Sequence, residues 1–408
     1  MPLDRRIYLD WNATGPVHPE VADVILPFLT SRFGNPSAPY VLGRDAFDAV
    51  EQSRRQTALL LGCAPKQLVF TSGGTEANNL ALKGAFFSGA AAGRRHLVIS
   101  AVEHPSVLAT CEWLRQQHGA DLTQVPVDST GRVDPEQVAA AFRSDTLLVS
   151  VMHANNETGT LQPVGAIAEL ARRHGVLSHV DGVQAAGRVA VDVSAIGCDL
   201  YSVSAHKFGG MKGAGALYVR DASGLEWAQQ GGRQEHGLRA GTENVPGIVA
   251  LGKAAEVALR DLDANRAACL RTRAVFDDLA RKIPMTRMNG HPTERLPNTT
   301  NLCCLYADAF SVVLALSVQG VCVGLGSACA SHAQEPSRVL RAMGLSNVAA
   351  LCSIRVSTGP TTSLQDAEFV AHLLQETVER VRLVTSPEQI GVCDDDCPCF
   401  TGGTIGVE

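Results

Sequence analysis

A lysine and an aspartate, each following a strand-like run, are the residues of this chain that point most directly to chemistry. Lys207 lies in the run SAHKFGG at residues 204–210, between a short polar segment and a flexible pair of glycines. Asp181 follows the strand-like residues 177–180. A lysine amine can form a Schiff base with pyridoxal phosphate (PLP), and a carboxylate can pair with the protonated pyridine nitrogen of that cofactor. Ligands of an open α/β sheet bind at the carboxyl ends of its strands, so this pair predicts a PLP site there.

Polar groups also follow the other predicted strands. The glycine-rich run SGGTEAN at residues 72–78 comes after a strand-like segment and opens a helix, an arrangement that suits the binding of an anion. Taken one at a time, these residues could have purely structural roles. His104 could be a core histidine, Asn155 could cap a turn, and Asp181 could be a buried ion-pair partner. Five successive strand ends with polar residues are harder to explain in this way, and they indicate one binding site at one edge of a sheet.

The elements that must position these groups alternate between short β-rich runs and helical segments. The strand-like runs lie at residues 68–70, 96–100, 147–151, 177–180, 199–203 and 216–219. Val164–Arg173 has helical spacing and stops at Gly175. This alternation predicts an α/β fold with a mainly parallel sheet and helices on both of its faces.

Two amphipathic patterns follow this region. Apolar residues between positions 248 and 283 can share one helical stripe, long enough to bridge two domains. Ser363 is predicted to cap a second helix, with Val370, Leu374 and Val381 among its apolar positions. After about residue 387 the composition turns acidic and rich in glycine and cysteine, which predicts a mobile tail.

Composition limits the classes of protein to consider. A chain of 408 residues with 45% apolar and 19% charged residues is typical of a well-buried enzyme with one large and one lesser domain. The net charge of −6 and the lack of a long basic cluster disfavour nucleic acid as a partner. The apolar residues 310–330 include Gln319 and three glycines, so a buried helix or strand pair is expected there and no membrane span. Twelve scattered cysteines and an N-terminus without a signal-peptide core predict reduced thiols and a cytoplasmic location.

Short motifs along nearly the whole chain give a more specific indication. They lie at residues 8–14 (YLDWNAT), 33–37 (FGNPS), 71–79, 103–104, 155–159 (NNETG), 179–181, 204–207, 239–244 (RAGTEN), 326–329 (GSAC), 335–337 and 354–357. In order and spacing the chain resembles the cysteine desulfurases of the nitrogen-fixation and iron–sulfur-assembly group. These are fold type I PLP enzymes among the class V aminotransferases.

The resemblance implies a fold type I transferase with two domains. A large domain at residues 16–262 would hold a mainly parallel seven-stranded sheet. A smaller α+β domain would comprise residues 1–15 and 263–387. Residues 388–408 would form the cysteine-containing tail.

The resemblance also implies the residues that hold the cofactor. Lys207 would form the Schiff base and later move the substrate Cα proton, Asp181 would pair with the pyridine nitrogen, and Gln184 would hydrogen-bond the phenolic oxygen. His104 would stack on the ring and assist proton transfer. The phosphate would be held by Gly74, Thr75, Ser204 and His206, with Thr242 reaching in from the second subunit of a homodimer.

For the substrate, L-cysteine, the resemblance implies Asn155 and Arg355 as carboxylate ligands, with Asn155 also beside the cofactor and Arg355 acting as a bidentate fork. Cys329, between small residues that suit a mobile loop, would attack the substrate sulfur and keep it as a persulfide. Because a free thiol has a pKa near ~8.5, the site must favour the thiolate. The sulfur acceptor is left open between an iron–sulfur scaffold protein, nitrogenase maturation, thiolated tRNA and another pathway.

Some features depart from the resemblance. Gly15 stands where threonine is common, Tyr40 where histidine is common, and Pro360 where a polar residue is more usual. No resident metal is expected, although Cys329 could transiently ligate a cluster. The tail cysteines could bind zinc, join an iron–sulfur site, relay persulfide or be incidental; they are Cys393, Cys397 and Cys399.

Two other functions remain open from the sequence. One is a different PLP activity, such as selenocysteine lyase or aminotransferase, and the Cys329 loop argues against transamination. The other is a non-enzymatic scaffold for iron–sulfur assembly, against which Lys207, Asp181 and Arg355 argue.

Overall fold

Short runs rich in valine, leucine and isoleucine form the strands of two sheets in the computed structural model, which describes residues 6–222, 225–226, 229–325 and 335–385. Within these residues the strands are β1 (Ile7–Leu9), β2 (Leu68–Thr71), β3 (His96–Ser100), β4 (Asp121–Val125), β5 (Thr146–Ser150), β6 (Leu177–Asp181), β7 (Leu200–Ser204), β8 (Gly215–Val219), β9 (Thr286–Asn289), β10 (Thr299–Cys304), β11 (Val321–Leu325) and β12 (Ser353–Ser357). The α-helices of the same residues are α1 (Pro19–Thr30), α2 (Val41–Leu61), α3 (Gly74–Ala91), α4 (Pro105–His118), α5 (Pro135–Ala140), α6 (Val164–Arg173), α7 (Val193–Ile196), α8 (Val245–Arg260), α9 (Leu262–Asp277), α10 (Leu279–Lys282), α11 (Ala309–Val318), α12 (Arg338–Ala342), α13 (Asn347–Leu351) and α14 (Leu364–Val384). Outside the described residues lie Cys329 with its neighbours and the tail cysteines Cys393, Cys397 and Cys399.

The larger sheet has seven strands in the order β2-β8-β7-β6-β5-β3-β4. Strands β4, β3, β5, β6 and β7 run parallel, and β8 runs antiparallel to both β7 and β2. The prediction of a mainly parallel seven-stranded sheet is confirmed. The run that forms β4 was not recognised in the sequence because this edge strand, Asp121–Val125, buries mainly its last residue and carries polar residues in between. An edge strand therefore lacks the continuous apolar run that marks a buried one.

Helix α6 follows the prediction residue by residue. It spans Val164–Arg173, and the chain leaves it through Gly175 with a φ of +64°. A residue with a side chain is strained in this left-handed conformation, which is why a glycine ends the helix so clearly in the sequence.

The smaller sheet has five strands in the order β1-β11-β12-β10-β9. The described part of the apolar stretch at residues 310–330 supplies most of helix α11 and all of strand β11, and the expectation of a buried helix is wrong, because α11 buries only Ala309, Val312 and Leu316 and exposes its other face. Apolar residues of α9, α11 and α14 pack with the strands into one core cluster. Among the described residues, no helix combines the length and apolar character needed to cross a bilayer.

The predicted continuous helix between residues 248 and 283 is wrong. The stretch forms α8, α9 and α10, with breaks at Asp261 (φ −101°, ψ 8°) and Asp278. The core explains the first break: Ala258 packs in the cluster beside the large sheet, whereas Phe276 packs in the cluster beside the small one. The chain must change direction between the two cores, so it leaves helical geometry there. Ser363 does cap α14, accepting a hydrogen bond from the N–H of Asp366.

The segment after β1 joins the two sheets. Asp10 bridges to Ser357 of β12, and the N–H of Asn12 donates to the Ser357 hydroxyl at 3.0 Å. The side-chain nitrogen of Asn12, Nδ2, also donates to the hydroxyl oxygen of Thr299 in β10, at 2.9 Å. The N-terminal segment is thereby fixed to the small sheet while it reaches across to the large one. The domain boundaries at residues 15 and 262 stay a prediction.

Candidate active site

A cavity of about 320 Å³ lies where the carboxyl ends of β6 and β7 meet the N-terminus of α3. It is lined by nine of the predicted site residues, namely Gly74, Thr75, His104, Asp181, Gln184, Ser204, His206, Lys207 and Arg355. Two predicted residues, Asn155 and Thr242, are not among those that line it, and Cys329 lies outside the described residues. The structure therefore brings together most of a set that was scattered over 282 positions of the sequence, from 74 to 355.

Lys207 enters the cavity from a 3-10 turn that directly follows β7. Its Nζ atom donates hydrogen bonds to the carbonyl oxygens of Asn12, at 2.6 Å, and Ala13, at 2.8 Å. Burial, together with the positive charges of Arg188 and Arg355, lowers the pKa of the Lys207 amine to about 7. A large fraction of the amine is therefore unprotonated at neutral pH, as a nucleophile or a general base requires.

Asp181 is the last residue of β6, and its carboxylate is held at both oxygens. Oδ1 accepts from the N–H of Val183 at 3.0 Å, and Oδ2 accepts from the Asn78 amide at 2.8 Å. The carboxylate is 5% exposed, so its position on the cavity wall is fixed. A buried, oriented carboxylate can stabilise a cationic ring nitrogen placed against it.

His104 is connected to this carboxylate through two polar side chains. As the N-cap of α4 it accepts a hydrogen bond at Nδ1 from the N–H of Ser106, at 3.1 Å. The Ser106 hydroxyl also contacts Nδ1 at 2.8 Å and accepts from the Asn78 amide at 2.8 Å. Burial lowers the pKa of His104. Because Nδ1 accepts a backbone N–H, the proton of the neutral ring lies on Nε2.

The opposite end of the cavity suits an anion. The first N–H groups of α3, from Gly74 onward, have no partner inside the helix and add the positive potential of its N-terminus. Gly73 has a φ of +149°, and a Cβ on Gly215 of β8 would lie 2.7 Å from the Gly73 Cα. These glycines let the backbone approach closely at this turn. Ser204 and His206 line the same cavity as this turn.

Arg355 projects from β12 of the small sheet into the cavity. Its Nη2 pairs with Asp10 at 2.6 Å, and its Nη1 donates to the carbonyl of Asn156 at 3.1 Å. Its Nε is buried with no hydrogen-bond partner among the described residues. A buried guanidinium N–H without an acceptor is costly, so this edge of Arg355 is suited to an incoming carboxylate.

Asn155 occupies a different position from the one expected for a substrate ligand. Its Oδ1 accepts from the N–H groups of Glu157, at 2.9 Å, and Thr158, at 3.0 Å, while its Nδ2 donates to the carbonyl of Val102 at 3.2 Å. The amide is thus used to shape the turn that presents Asn156 to the cavity. Thr242 is exposed, and Arg239 near it pairs with Glu76 in the first turn of α3.

Sequence reasoning gave no role to several residues that the structure places in the site. Asn12 supplies the carbonyl that accepts from both Lys207 and Gln184, and Asn78 holds Asp181. Both residues lie inside motifs that the resemblance used, YLDWNAT and residues 71–79. Each is a polar residue after or within a short apolar run, which was the one sign in the sequence that it belongs to the site. Only the fold shows what each one contacts.

The donors and charges of this cavity fit PLP. An amine, a fixed carboxylate and a helix N-terminus face one space. Two buried polar atoms on its lining residues, Asn78 Oδ1 and Arg355 Nε, have no partner among the described residues. Buried polar groups are satisfied in most folded proteins, so these atoms indicate a bound polar molecule.

Glu103 is a second buried acid close to this site. Its Oε1 accepts from the Ser100 hydroxyl and from the N–H of Met152, and its Oε2 has no partner in the described part of the chain. Burial raises the pKa of Glu103 to about 8. The folded protein therefore favours the protonated carboxyl over the ionised one.

Replacing Glu103 with glutamine is expected to change how stability depends on pH. Since the folded pKa is raised, the stabilising contribution of protonated Glu103 is full below pH 4.5 and is lost as the pH rises through about 8. Glutamine stays neutral at every pH. As the pH rises over this range, the wild type should therefore lose stability relative to the variant, by about a few kcal/mol in the free energy of unfolding, as the size of the pKa shift implies. Urea unfolding at pH 5 and pH 8 measures the difference. Exposed Glu136→Gln is the control, and a pH-independent difference for Glu103→Gln would contradict the prediction.

Comparisons with known proteins agree with this geometry. The family model of aminotransferase class-V matches residues 7–370. A cysteine desulfurase from Cereibacter sphaeroides is 44% identical over 381 residues, 93% of this chain and 97% of that protein. The cysteine desulfurase IscS of Methanosarcina thermophila is 42% identical, over 93% of each chain. A solved NifS-like protein superposes with a TM-score of 0.85 at 31% identity, covering 92% of this chain and 100% of that one.

The chain therefore belongs to the aminotransferase class-V family, and the fold with its cavity is that of a PLP-dependent enzyme. Within the family, its relatives place it among the cysteine desulfurases.

Proposed function

We propose that this enzyme takes the sulfur atom of L-cysteine, releases L-alanine and keeps the sulfur as a persulfide on Cys329. The observation that carries the proposal is one cavity lined by Lys207, whose pKa is lowered to about 7, by the fixed carboxylate of Asp181 and by Arg355. The solved protein SspA in complex with cysteine, 35% identical with a TM-score of 0.78 over 88% of this chain, supports cysteine as the substrate.

The residues present define how the cofactor would be held. Lys207 would attach it covalently, Asp181 would face its ring nitrogen, and Gln184 would donate to its phenolic oxygen. His104 would lie against its ring. The phosphate would be held by Gly74, Thr75, Ser204 and His206. When bound, PLP supplies an electron sink that stabilises negative charge on the substrate Cα.

The chain's own groups bind the substrate and move its protons. Arg355 would bind the substrate carboxylate, and Asp10 and the carbonyl of Asn156 hold its guanidinium in place. Asn155 would act on the same carboxylate through the turn that it fixes. The unprotonated Lys207 would take the Cα proton, and the carbonyls of Asn12 and Ala13 would orient its amine.

The sulfur transfer itself requires a second nucleophile, which we assign to Cys329. Its thiolate would attack the substrate sulfur: the sulfur–sulfur bond forms, the carbon–sulfur bond breaks, and the electron pair of that bond stays on the alanine carbon. Protonation of that carbon gives alanine. The persulfide then passes to an acceptor, which we propose to be an iron–sulfur scaffold or another sulfur-accepting protein. The reaction is proposed to take place in the cytoplasm.

A product assay tests the function. The PLP-loaded enzyme should convert L-cysteine to alanine, and the amount of alanine should equal the sum of protein-bound and released sulfur. A persulfide should be present on the protein after the first turnover. L-Serine, in which oxygen replaces sulfur, is the matched control and should give no alanine. Formation of a keto acid in place of alanine would contradict the proposal and indicate transamination.

We further propose a homodimer in which Thr242 completes the phosphate site of the partner subunit. Large apolar side chains are exposed in one stretch of the chain, including Leu26 (60% exposed), Phe33 (69%) and Val41 (75%). Exposed apolar surface on this scale is typical of an interaction surface. Sedimentation velocity of the holoenzyme should give the mass of a dimer. Leu26→Glu with Val41→Glu should shift it toward the monomer with loss of activity, and a monomeric, fully active wild type would contradict the proposal.

A further inference from the structure

Arg188 is a partly buried arginine beside the cofactor cavity, and sequence reasoning gave it no role. It follows the turn that begins at Asp181, directly after Gly187 (φ +74°), where a Cβ would lie 2.6 Å from the Phe208 Cβ. Among the described residues it forms no ion pair, although removing a charge from water without a counter-charge lowers stability. Burial lowers the pKa of Arg188 to about 10, with no carboxylate among the causes. The positive charge of Arg188 is therefore not balanced by a carboxylate, and its four hydrogen bonds indicate what it does in the fold.

The guanidinium of Arg188 donates to four neutral oxygens that surround the catalytic lysine. Nη1 donates to Asn12 Oδ1 at 2.7 Å and to Gln184 Oε1 at 2.5 Å. Nη2 donates to the carbonyls of Trp11, at 2.7 Å, and Lys207, at 3.4 Å. Arg188 therefore connects the N-terminal segment, the turn after β6 and the lysine turn after β7.

The first consequence concerns the orientation of Gln184. Because Oε1 accepts from Arg188, the amide nitrogen must point the other way, where it donates to the carbonyl of Asn12 at 3.0 Å. Nε2 has a second hydrogen, and Gln184 lines the cavity, so this N–H is available to an acceptor there. Without Arg188 the amide could turn over and present its oxygen instead.

The second consequence concerns the charge on Lys207. Four charged groups act on its amine: Arg188 and Arg355 lower its pKa, and Asp181 and Asp10 raise it by less. Of the charged groups, Arg188 has the largest effect. The neighbouring titratable rings are His104 and His206, and burial lowers the pKa of each, so neither adds a full positive charge at neutral pH.

We propose that Arg188 is a positioning residue of this active site, which fixes the Gln184 amide with its N–H toward the cofactor and keeps the Lys207 nitrogen unprotonated through its uncompensated positive charge. This inference rests on the proposed roles of Lys207 and Gln184. Arg188 itself does not line the cofactor cavity, so it acts on the cofactor only through Lys207 and Gln184.

A pH titration of the cofactor's visible absorbance in the holoenzyme tests the charge. The absorbance of PLP bound to a lysine changes when the linking nitrogen is protonated. Arg188→Met removes the positive charge and should move this transition to higher pH by about one unit. This is the order of magnitude by which one nearby charge changes the pKa of another group inside a protein. Arg188→Lys keeps the charge and should leave the transition within a few tenths of a unit, while cofactor release becomes faster because a single ammonium cannot serve all four acceptors.

The matched control is Arg295→Met, another buried arginine, whose side chain is 3% exposed and pairs with Asp277. It should lower stability without moving the absorbance transition. If Arg188→Met does not fold, Arg188→Gln replaces it, since glutamine is neutral and keeps two hydrogen-bonding groups. Equal shifts in the lysine and the neutral variants, or no shift in either, would overturn the inference. Absence of the lysine-bound cofactor absorbance from the wild type would instead contradict the proposed function.

Discussion

Replacing Lys207 with alanine is expected to lower turnover of L-cysteine by at least about 10³-fold, even with PLP supplied in excess. The change removes both the covalent attachment of the cofactor and the base that takes the Cα proton. Two other polar side chains that line the cavity are already held by neighbours: His104 by Ser106, and Gln184 by Asn12 and Arg188. Alanine production under saturating cysteine measures the effect.

Lys212 provides the matched control for this change. It lies five positions further along and is exposed to solvent, so Lys212→Ala should keep turnover close to that of the wild type. Lys207→Arg keeps a positive charge and donors for the carbonyls of Asn12 and Ala13, but it cannot serve as a base and should be as inactive as the alanine variant. Retention of more than a tenth of wild-type turnover in Lys207→Ala would show that another group moves the proton.

The parts of the fold that the sequence predicted are those in which local pattern and tertiary burial agree. Strands β3, β5, β6 and β7 are buried on both faces, and in the sequence they are short runs rich in leucine, valine and isoleucine or interrupted by only a few polar residues. Helix α6 carries its own termination signal in Gly175. The break at Asp261 has no such local signal. It arises because the chain before Asp261 packs against one core and the chain after it packs against the other.

The same distinction applies to the site. Asp181 and Lys207 follow strands of one parallel sheet, so strand order alone brings them together. Asn12 and Arg355 come from the small sheet and reach the cavity only after the two sheets have packed together. Three of the four partners of Arg188 are likewise 19 to 177 positions away in the chain, and no spacing rule could have joined them to it.

One departure from the family pattern has a steric explanation. A Cβ on Gly15 would lie 3.1 Å from the Trp11 ring, and a Cβ on Gly359 would lie 1.9 Å from it. The Trp11 indole therefore occupies a slot between two glycines, and a threonine at position 15 would crowd it. The glycine at position 15 and the glycine before Pro360 are two sides of the same packing arrangement.

Most of the thiols in the described part of the chain are poor candidates for the sulfur nucleophile. Eight cysteines lie there, and none forms a disulfide. Burial raises the pKa of Cys63, Cys198 and Cys352 to about 12, and that of Cys304 to about 11. A thiol with so high a pKa holds almost no thiolate at neutral pH, and thiolate is the reactive form. This argument favours the assignment to Cys329, whose motif GSAC comes directly after the last residue of β11 in the sequence.

Replacing Cys329 with serine should separate the two halves of the reaction. The hydroxyl of serine does not form a persulfide, so alanine formation and sulfide release should fall by at least about 10²-fold, the lower range for loss of an essential catalytic group. Binding of cysteine should persist, because Lys207, Asp181 and Arg355 are unchanged, and the visible absorbance of the cofactor should still change when cysteine is added. Mass spectrometry of the wild-type protein after one turnover should show one added sulfur atom on the peptide that contains Cys329.

Cys322→Ser is the demanding control, because this partly exposed cysteine lies on β11 only seven positions before Cys329. It should retain both turnover and the added sulfur, since its side chain is not among those lining the cavity. A Cys329→Ser protein that releases alanine at the wild-type rate would place the nucleophile elsewhere. Loss of the cofactor response in that variant would show that Cys329 acts in binding as well as in sulfur transfer. The assignment therefore depends on the combination of retained binding and lost transfer in one protein.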